Sequence, residues 1–294
     1  MAKHRRFRRL GLPVFGVLAA MVAGSALAAE PANPAARRIV SIGSAVTEIL
    51  YALGAEGRIV AVDSTSTYPQ GTKEKPDIGY LRALSPEGII GQNPDLILLQ
   101  DGAGPPDALT VLRASGIATE TIKALPLSET IPDKIRDVGA AVGLGDKAEV
   151  LAQKTKAELD AALAETAKIP QPRKRVLFIL SIANGRIMAG GKGTEAAAMI
   201  EMAGGINAAD QITGYKPLTD EAVIAARPDY VLVMQSGNHH LTPDQVFSLP
   251  AFLSTPAADN RALLQMDGLM LTGFGPRTPK AIGMLTSQLY PQSN

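Results

Sequence analysis

The chain has 294 residues, with 29 basic and 28 acidic side chains and no cysteine. The missing cysteines exclude a disulfide framework, a thiolate metal site and thioether attachment of a prosthetic group. The near-balanced charge gives no general attraction for nucleic acid or an anionic membrane. The N-terminus is the exception to that balance. Lys3, Arg5, Arg6, Arg8 and Arg9 precede an apolar run over residues 10–23, and Ser25-Ala26-Leu27-Ala28 follows with small residues at alternate positions. This is the three-part pattern of a secretory signal, with cleavage expected after Ala28. The run is shorter than the ~20 residues a membrane span needs. Removing residues 1–28 leaves 24 basic against 28 acidic residues, a net −4, over about 266 residues. That length suffices for two modest α/β lobes.

Residues 38–42 (RIVSI) read as a strand, with Ser44 as the expected cap of a helix over residues 47–53 and Gly54 as its stop. Residues 59–62 (IVAV) have the β-branched, apolar character of a strand buried on both faces. A polar loop spans residues 63–75. Ser85-Pro86-Glu87 then opens a second helix with a hydroxyl cap, a proline in the first turn and an acid beside it. Asn93-Pro94-Asp95 is expected to end that helix before a strand at residues 96–99 (LILL). Strand and helix alternate, as in a parallel sheet. Residues 146–169 contain neither glycine nor proline, and apolar residues recur at Val150, Leu151, Leu159 and Leu163. They predict one helix of about 22 residues, near 33 Å long. Pro170 and Pro172 close it, and a new strand is expected at residues 175–180.

The two sides of this helix repeat one another. Residues 85–99 (SPEGIIGQNPDLILL) align without gaps on residues 219–233 (TDEAVIAARPDYVLV). A hydroxyl cap, an acid two positions on, an apolar helix face, Pro-Asp and a buried strand occur in both. A weaker echo pairs Thr47-Glu48 with Thr194-Glu195. The fold expected is α/β: an N-terminal lobe over residues 37–145, a linker helix over 146–169 and a similar C-terminal lobe over 170–294, with mostly parallel sheets. A cleft between two such lobes is a natural ligand site. One connecting helix predicts little hinge motion.

Motifs of catalysis are missing. The sequence after the signal has two histidines, His239 and His240, and contains neither G-x-S-x-G nor H-E-x-x-H. Residues 190–194 (GGKGT) fail as a phosphate loop because Gly193 separates Lys192 from Thr194, and they read instead as a glycine turn capping a helix. The expectation is a binding protein, with no catalytic residue. The loop at residues 63–69 (DSTSTYP) offers Tyr68 at the carboxyl end of a strand, where open α/β sheets bind ligands, and Pro69 holds it out of helical conformation.

Residues 62–69 (VDSTSTYP), 79–89 (GYLRALSPEGI), 204–207 (GGIN) and 273–277 (GFGPR) resemble the periplasmic haem-binding proteins of bacterial haem ABC importers. The resemblance covers nearly the whole sequence after the signal. The helix carrying Glu87 and the Gly-Gly-x-Asn run are shared with cobalamin and siderophore carriers, whereas Thr-Tyr-Pro and Gly-Tyr-x-Arg point more narrowly to haem. It implies a monomeric periplasmic carrier whose transported ligand is haem, with Tyr68 as the ligand to ferric iron. Phenolate is a hard anionic donor suited to that ion. Arg277 or Arg82 is expected to favour the phenolate or to meet a propionate, and Tyr80 and Tyr215 are further haem-contact candidates. Some related carriers add a histidine from the second lobe. Residues 181–186 (SIANGR) have none, which implies five-coordinate iron and one haem, with His239 and His240 as substitutes only if their loop reaches the cleft. The resemblance also implies that Glu87 and Glu201 dock into arginine pockets on the two permease subunits, where bidentate pairs suit recognition. The alternatives are a ferric siderophore or cobalamin on the same scaffold and, more remotely, an exported α/β enzyme.

Overall fold

The computed structural model describes Met1 and residues 36–235 and 241–291. Apart from Met1, the segment read as an export signal lies outside the described residues, and so do His239 and His240. The first lobe runs β1 (Ile39–Ile42), α1 (Ser44–Ala52), β2 (Ile59–Val62), α2 (Pro86–Ile90), β3 (Leu96–Gln100), α3 (Pro106–Ala114), β4 (Ala118–Ile122) and α4 (Ile131–Ala141). The linker helix is α5 (Gly145–Ala167). The second lobe runs β5 (Arg175–Ala183), β6 (Arg186–Gly190), α6 (Glu195–Met202), β7 (Ile206–Asn207), β8 (Tyr215–Leu218), α7 (Asp220–Ala226), β9 (Tyr230–Gln235), α8 (Pro243–Phe247), α9 (Pro256–Asp259), β10 (Leu263–Asp267), α10 (Gly268–Thr272) and α11 (Thr278–Leu289).

The first sheet, in order β2-β1-β3-β4, is parallel throughout. Its two central strands, β1 and β3, are apolar and buried, as strands covered on both faces must be. The second sheet runs β10-β9-β5-β6-β8, with β7 also beside β5. Strands β10, β9 and β5 are parallel, whereas β6 pairs antiparallel with both β5 and β8. The second sheet is therefore mixed. The turn at Asn184 and Gly185, both with positive φ, folds the long strand β5 back on itself as a hairpin.

The internal repeat extends to individual hydrogen bonds. Ser85 accepts from the Gly88 N–H as Thr219 accepts from the Ala222 N–H. Asn93 and Arg227, at matching positions, both turn left-handed, with φ of 49° and 44°. Asp95 accepts from the Arg38 N–H, and Asp229 from the Arg175 N–H. The side chains of Arg38 and Arg175 donate to backbone carbonyls shortly before each of these aspartates, at Gln92 and Ala226. The same sequence module folds the same way twice.

Two local expectations change. Gly43, not Ser44, precedes α1, with φ of 111°. Its N–H donates to Asp63, and a Cβ there would collide with the Gln100 side chain, so only glycine fits. On α5, Val150 is exposed, and the buried stripe is Ala148, Ala152, Thr155 and Leu159. Small residues form that stripe because α4 lies close against it: a Cβ on Gly139 would collide with the Ala148 Cβ. Helix α11 packs on α5 as well. One apolar cluster runs through α1 (Ile49), α4 (Val138), α5 (Ala152), α6 (Met199) and α11 (Ile282), so the buried core continues from one lobe into the other. The described residues from 36 onward accordingly make one compact unit. No helix among the described residues is long and apolar enough to cross a membrane.

Candidate functional site

The loop that follows β2 is organised by one buried carboxylate. Asp63 is almost fully buried and accepts from the Gly43 N–H (2.8 Å), the Ser66 hydroxyl (2.8 Å), and the Thr65 N–H (3.1 Å) and hydroxyl (2.6 Å). Ser66 is hydrogen-bonded to Thr47 (2.8 Å), and Thr47 to Ser41 (2.7 Å), tying the loop to α1 and β1. Buried polar groups are tolerated when every partner is present. This network fixes the backbone that carries Tyr68 at the carboxyl end of the parallel strands, with Tyr68 itself 41% exposed.

Over that ring lies Arg277, which comes from the other lobe, at the start of α11. Its guanidinium carbon is 3.4 Å from the Tyr68 ring centroid. The same guanidinium donates to Glu48 on α1 at 2.9 Å, and the Arg277 N–H donates to the other oxygen of that carboxylate at 3.1 Å. A third nitrogen lies 3.1 Å from the Met270 sulfur. Its Nε is buried and has no acceptor among the described residues.

Beside this pair sits Lys134 of α4, only 2% exposed, donating to the Phe274 carbonyl at 3.0 Å. Burial lowers its pKa to about 8, against the opposing pull of Glu195 and Glu48. Phe274 has φ of 51°, a costly conformation for a bulky residue, and its carbonyl receives this charge-assisted bond. A second cluster is on the C-terminal lobe. The Tyr215 hydroxyl donates to Glu195 at 3.1 Å, and its ring meets Phe178 edge-on. Burial first, then the Glu195 charge, holds the Tyr215 phenol far above the ordinary tyrosine range; Arg82 opposes this from the N-terminal lobe. Tyr215 therefore remains a neutral phenol, and its oxygen is already committed.

The sequence-predicted residues thus separate. Tyr68 and Arg277 are brought together. Arg82 is exposed and lies within electrostatic range of Tyr215 instead. Tyr80 is exposed on the segment that pairs with the Tyr68 loop through Ser64 N–H to the Gly79 carbonyl. Glu87 is exposed in the first turn of α2, and Glu201 is exposed in the last turn of α6. The repeat gives Glu87 a different counterpart, Glu221, exposed in the first turn of α7. Its own N–H and the Thr219 hydroxyl hold the Glu221 carboxyl below the usual range.

Sequence reasoning passed over Glu48 and Lys134 as site residues. The available signal for Glu48 was an acid inside the apolar run of α1, which demands a buried partner. No cluster of three metal-ligating side chains occurs among the described residues.

Known proteins share this architecture. The chain is similar to the periplasmic haem-binding protein RhuT of Roseiflexus sp. RS-1 in apo form, at 39% identity and a TM-score of 0.81, covering 86% of this chain and 98% of that one. It is similar to the periplasmic haem-binding protein BhuT in complex with two haems, at 36% identity and a TM-score of 0.80, covering 86% and 97%. Among curated sequences it resembles an uncharacterised ABC transporter substrate-binding lipoprotein, YvrC, of Bacillus subtilis strain 168, at 26% identity over 87% of this chain and 81% of the relative. The periplasmic binding protein profile matches residues 39–268, and the chain is a member of that family.

Proposed function

We propose that this protein carries haem, held in the cleft between its lobes, to an ABC importer on the outer side of the cytoplasmic membrane. The observation that carries this reading is the pairing of an exposed phenol, Tyr68, with a guanidinium from the opposite lobe. Ferric iron accepts a tyrosine oxygen. The guanidinium laid against the ring closes that site from the opposite lobe. Tyr215 is disfavoured as the iron ligand, since its hydroxyl is taken by Glu195 and its proton is held tightly. Its role is then to wall the cleft, with Tyr80 available to meet the porphyrin face. Arg82 is the candidate for a propionate, and the unpartnered Nε of Arg277 would welcome a second acceptor. The match to known haem-binding proteins over nearly their whole length supports the same cargo.

Export would follow cleavage after Ala28, leaving the acidic form as the working protein. One haem per chain is expected, since residues 181–186 offer no histidine. Docking to the permease dimer falls to one acid on each lobe. Glu87 serves the first. For the second, Glu201 is the residue expected from the resemblance, while the repeat favours Glu221, which shares Glu87's cap and helix turn.

Selectivity is tested by titrating the ligand-free protein with ferric haem, cobalamin and a ferric siderophore. Saturation by haem at one per chain, undisturbed by the other two, is the expected result. Saturable cobalamin or siderophore binding without haem binding would assign the scaffold to that cargo instead.

A further inference from the structure

The interlobe contact contains more than the stacked pair needs. Arg277 belongs to a C-terminal-lobe loop, yet Glu48 on the N-terminal lobe grips it twice, through its N–H and through its guanidinium. The approach is tight. A Cβ on Gly275 would sit 3.2 Å from the Glu48 carboxylate, which would then have to give by a few tenths of an ångström. One residue earlier, left-handed Phe274 is held by Lys134, also from the N-terminal lobe. The Glu48 side chain is 5% exposed and that of Arg277 22%, so neither charge is well served by water. A long arginine side chain has many rotamers, and stacking on one exposed ring does not select among them.

We infer that Glu48 is a positioning residue: it holds the Arg277 guanidinium over Tyr68, and so prepares the ring for its ligand before the ligand arrives. Glu48 does not touch the ligand. Lys134 secures the loop from the other side. The consequence for cargo rests on the carrier reading above; the consequence for Arg277 does not. Groups that orient a metal-binding side chain typically change metal affinity ~10–100-fold when removed. That range is expected for ferric haem on Arg277→Ala; Glu48→Ala, acting through Arg277, should lose affinity by no more than that, with Glu48→Asp restoring part of it.

The test has two arms. In the first, without haem, the Arg277 side-chain N–H resonance is followed by NMR and assigned by its loss in Arg277→Lys. The Tyr68 ring should shift it upfield, as Tyr68→Leu would verify. The shift should vanish in Glu48→Ala and persist partly in Glu48→Asp. A shift unchanged in Glu48→Ala would overturn the inference whatever the protein carries. In the second arm, haem affinity is measured for Glu48→Ala, Arg277→Ala and the double variant. If Glu48 acts through Arg277, the double variant binds no more weakly than Arg277→Ala. Losses that simply multiply would show that Glu48 acts by another route. Should Glu48→Ala fail to fold, Glu48→Gln, which keeps the shape and removes the charge, takes its place in both arms. Absence of haem binding by the unmodified protein would sink the carrier reading while the first arm still decides Glu48.

Discussion

Lys134 has an ammonium group inside the protein with one carbonyl acceptor and two carboxylates near it, and Arg277 shares the same carboxylate, Glu48. Burial outweighs those carboxylates, so the folded chain releases this proton near pH 8, against an ordinary value of 10.5. Between those two values the unfolded chain holds more protons than the folded one, and stability rises with pH. Below about pH 8 the full cost of the buried charge is present. The urea midpoint of the unmodified protein should therefore rise relative to Lys134→Met as pH increases from about 8 to about 10.5. Parallel curves for the two proteins would show that Lys134 keeps an ordinary pKa. At this scale the sequence was partly legible. Tyr68 was singled out by a strand end and a following proline, together with the resemblance of residues 62–69 to haem-binding proteins. Its pairing with Arg277, 209 positions away, could only be one of two options before the loop at residues 273–277 was placed. Glu48 and Lys134 were hidden because their contacts reach between lobes, which has no local signature.

At the level of elements, the repeated unit was readable down to its caps, because a hydroxyl cap and Pro-Asp at fixed spacing leave little choice of local structure. The mixed character of the second sheet was less accessible. Strand β5 runs nine residues, and its second half leaves the parallel sheet to pair with β6, a departure signalled only by Asn184-Gly185. The helix expected over residues 146–169 runs from Gly145 to Ala167. Its large apolar residues did not mark its buried face: Val150 is exposed, and close approach to α4 selects alanine and threonine. That closeness makes Gly139 sensitive. Gly139→Val should destabilise the protein by about 1–3 kcal/mol through overpacking of α4 against α5, read as a fall in the denaturant midpoint with an unchanged slope. No change in midpoint would mean that the two helices separate at little cost.

For the molecule as a whole, the apolar cluster that runs from α1 through α5 to α11 joins the lobes by packing as well as by one helix. Such a body would suit the proposed carrier, in which one acid on each lobe docks to a permease. Removal of one docking acid should weaken haem delivery to a reconstituted importer while leaving haem binding intact. Glu87→Ala and Glu221→Ala are expected to show this loss together, and Glu201→Ala to show less; a larger loss for Glu201→Ala would restore the pair expected from the resemblance. Haem is proposed to bind through Tyr68 beneath Arg277. The most direct measurement is an absorbance titration of the ligand-free protein with ferric haem, with Tyr68→Ala in parallel. A saturable high-spin spectrum at one haem per chain, lost in the variant, is the expected result. The same saturable spectrum in Tyr68→Ala would contradict that proposal.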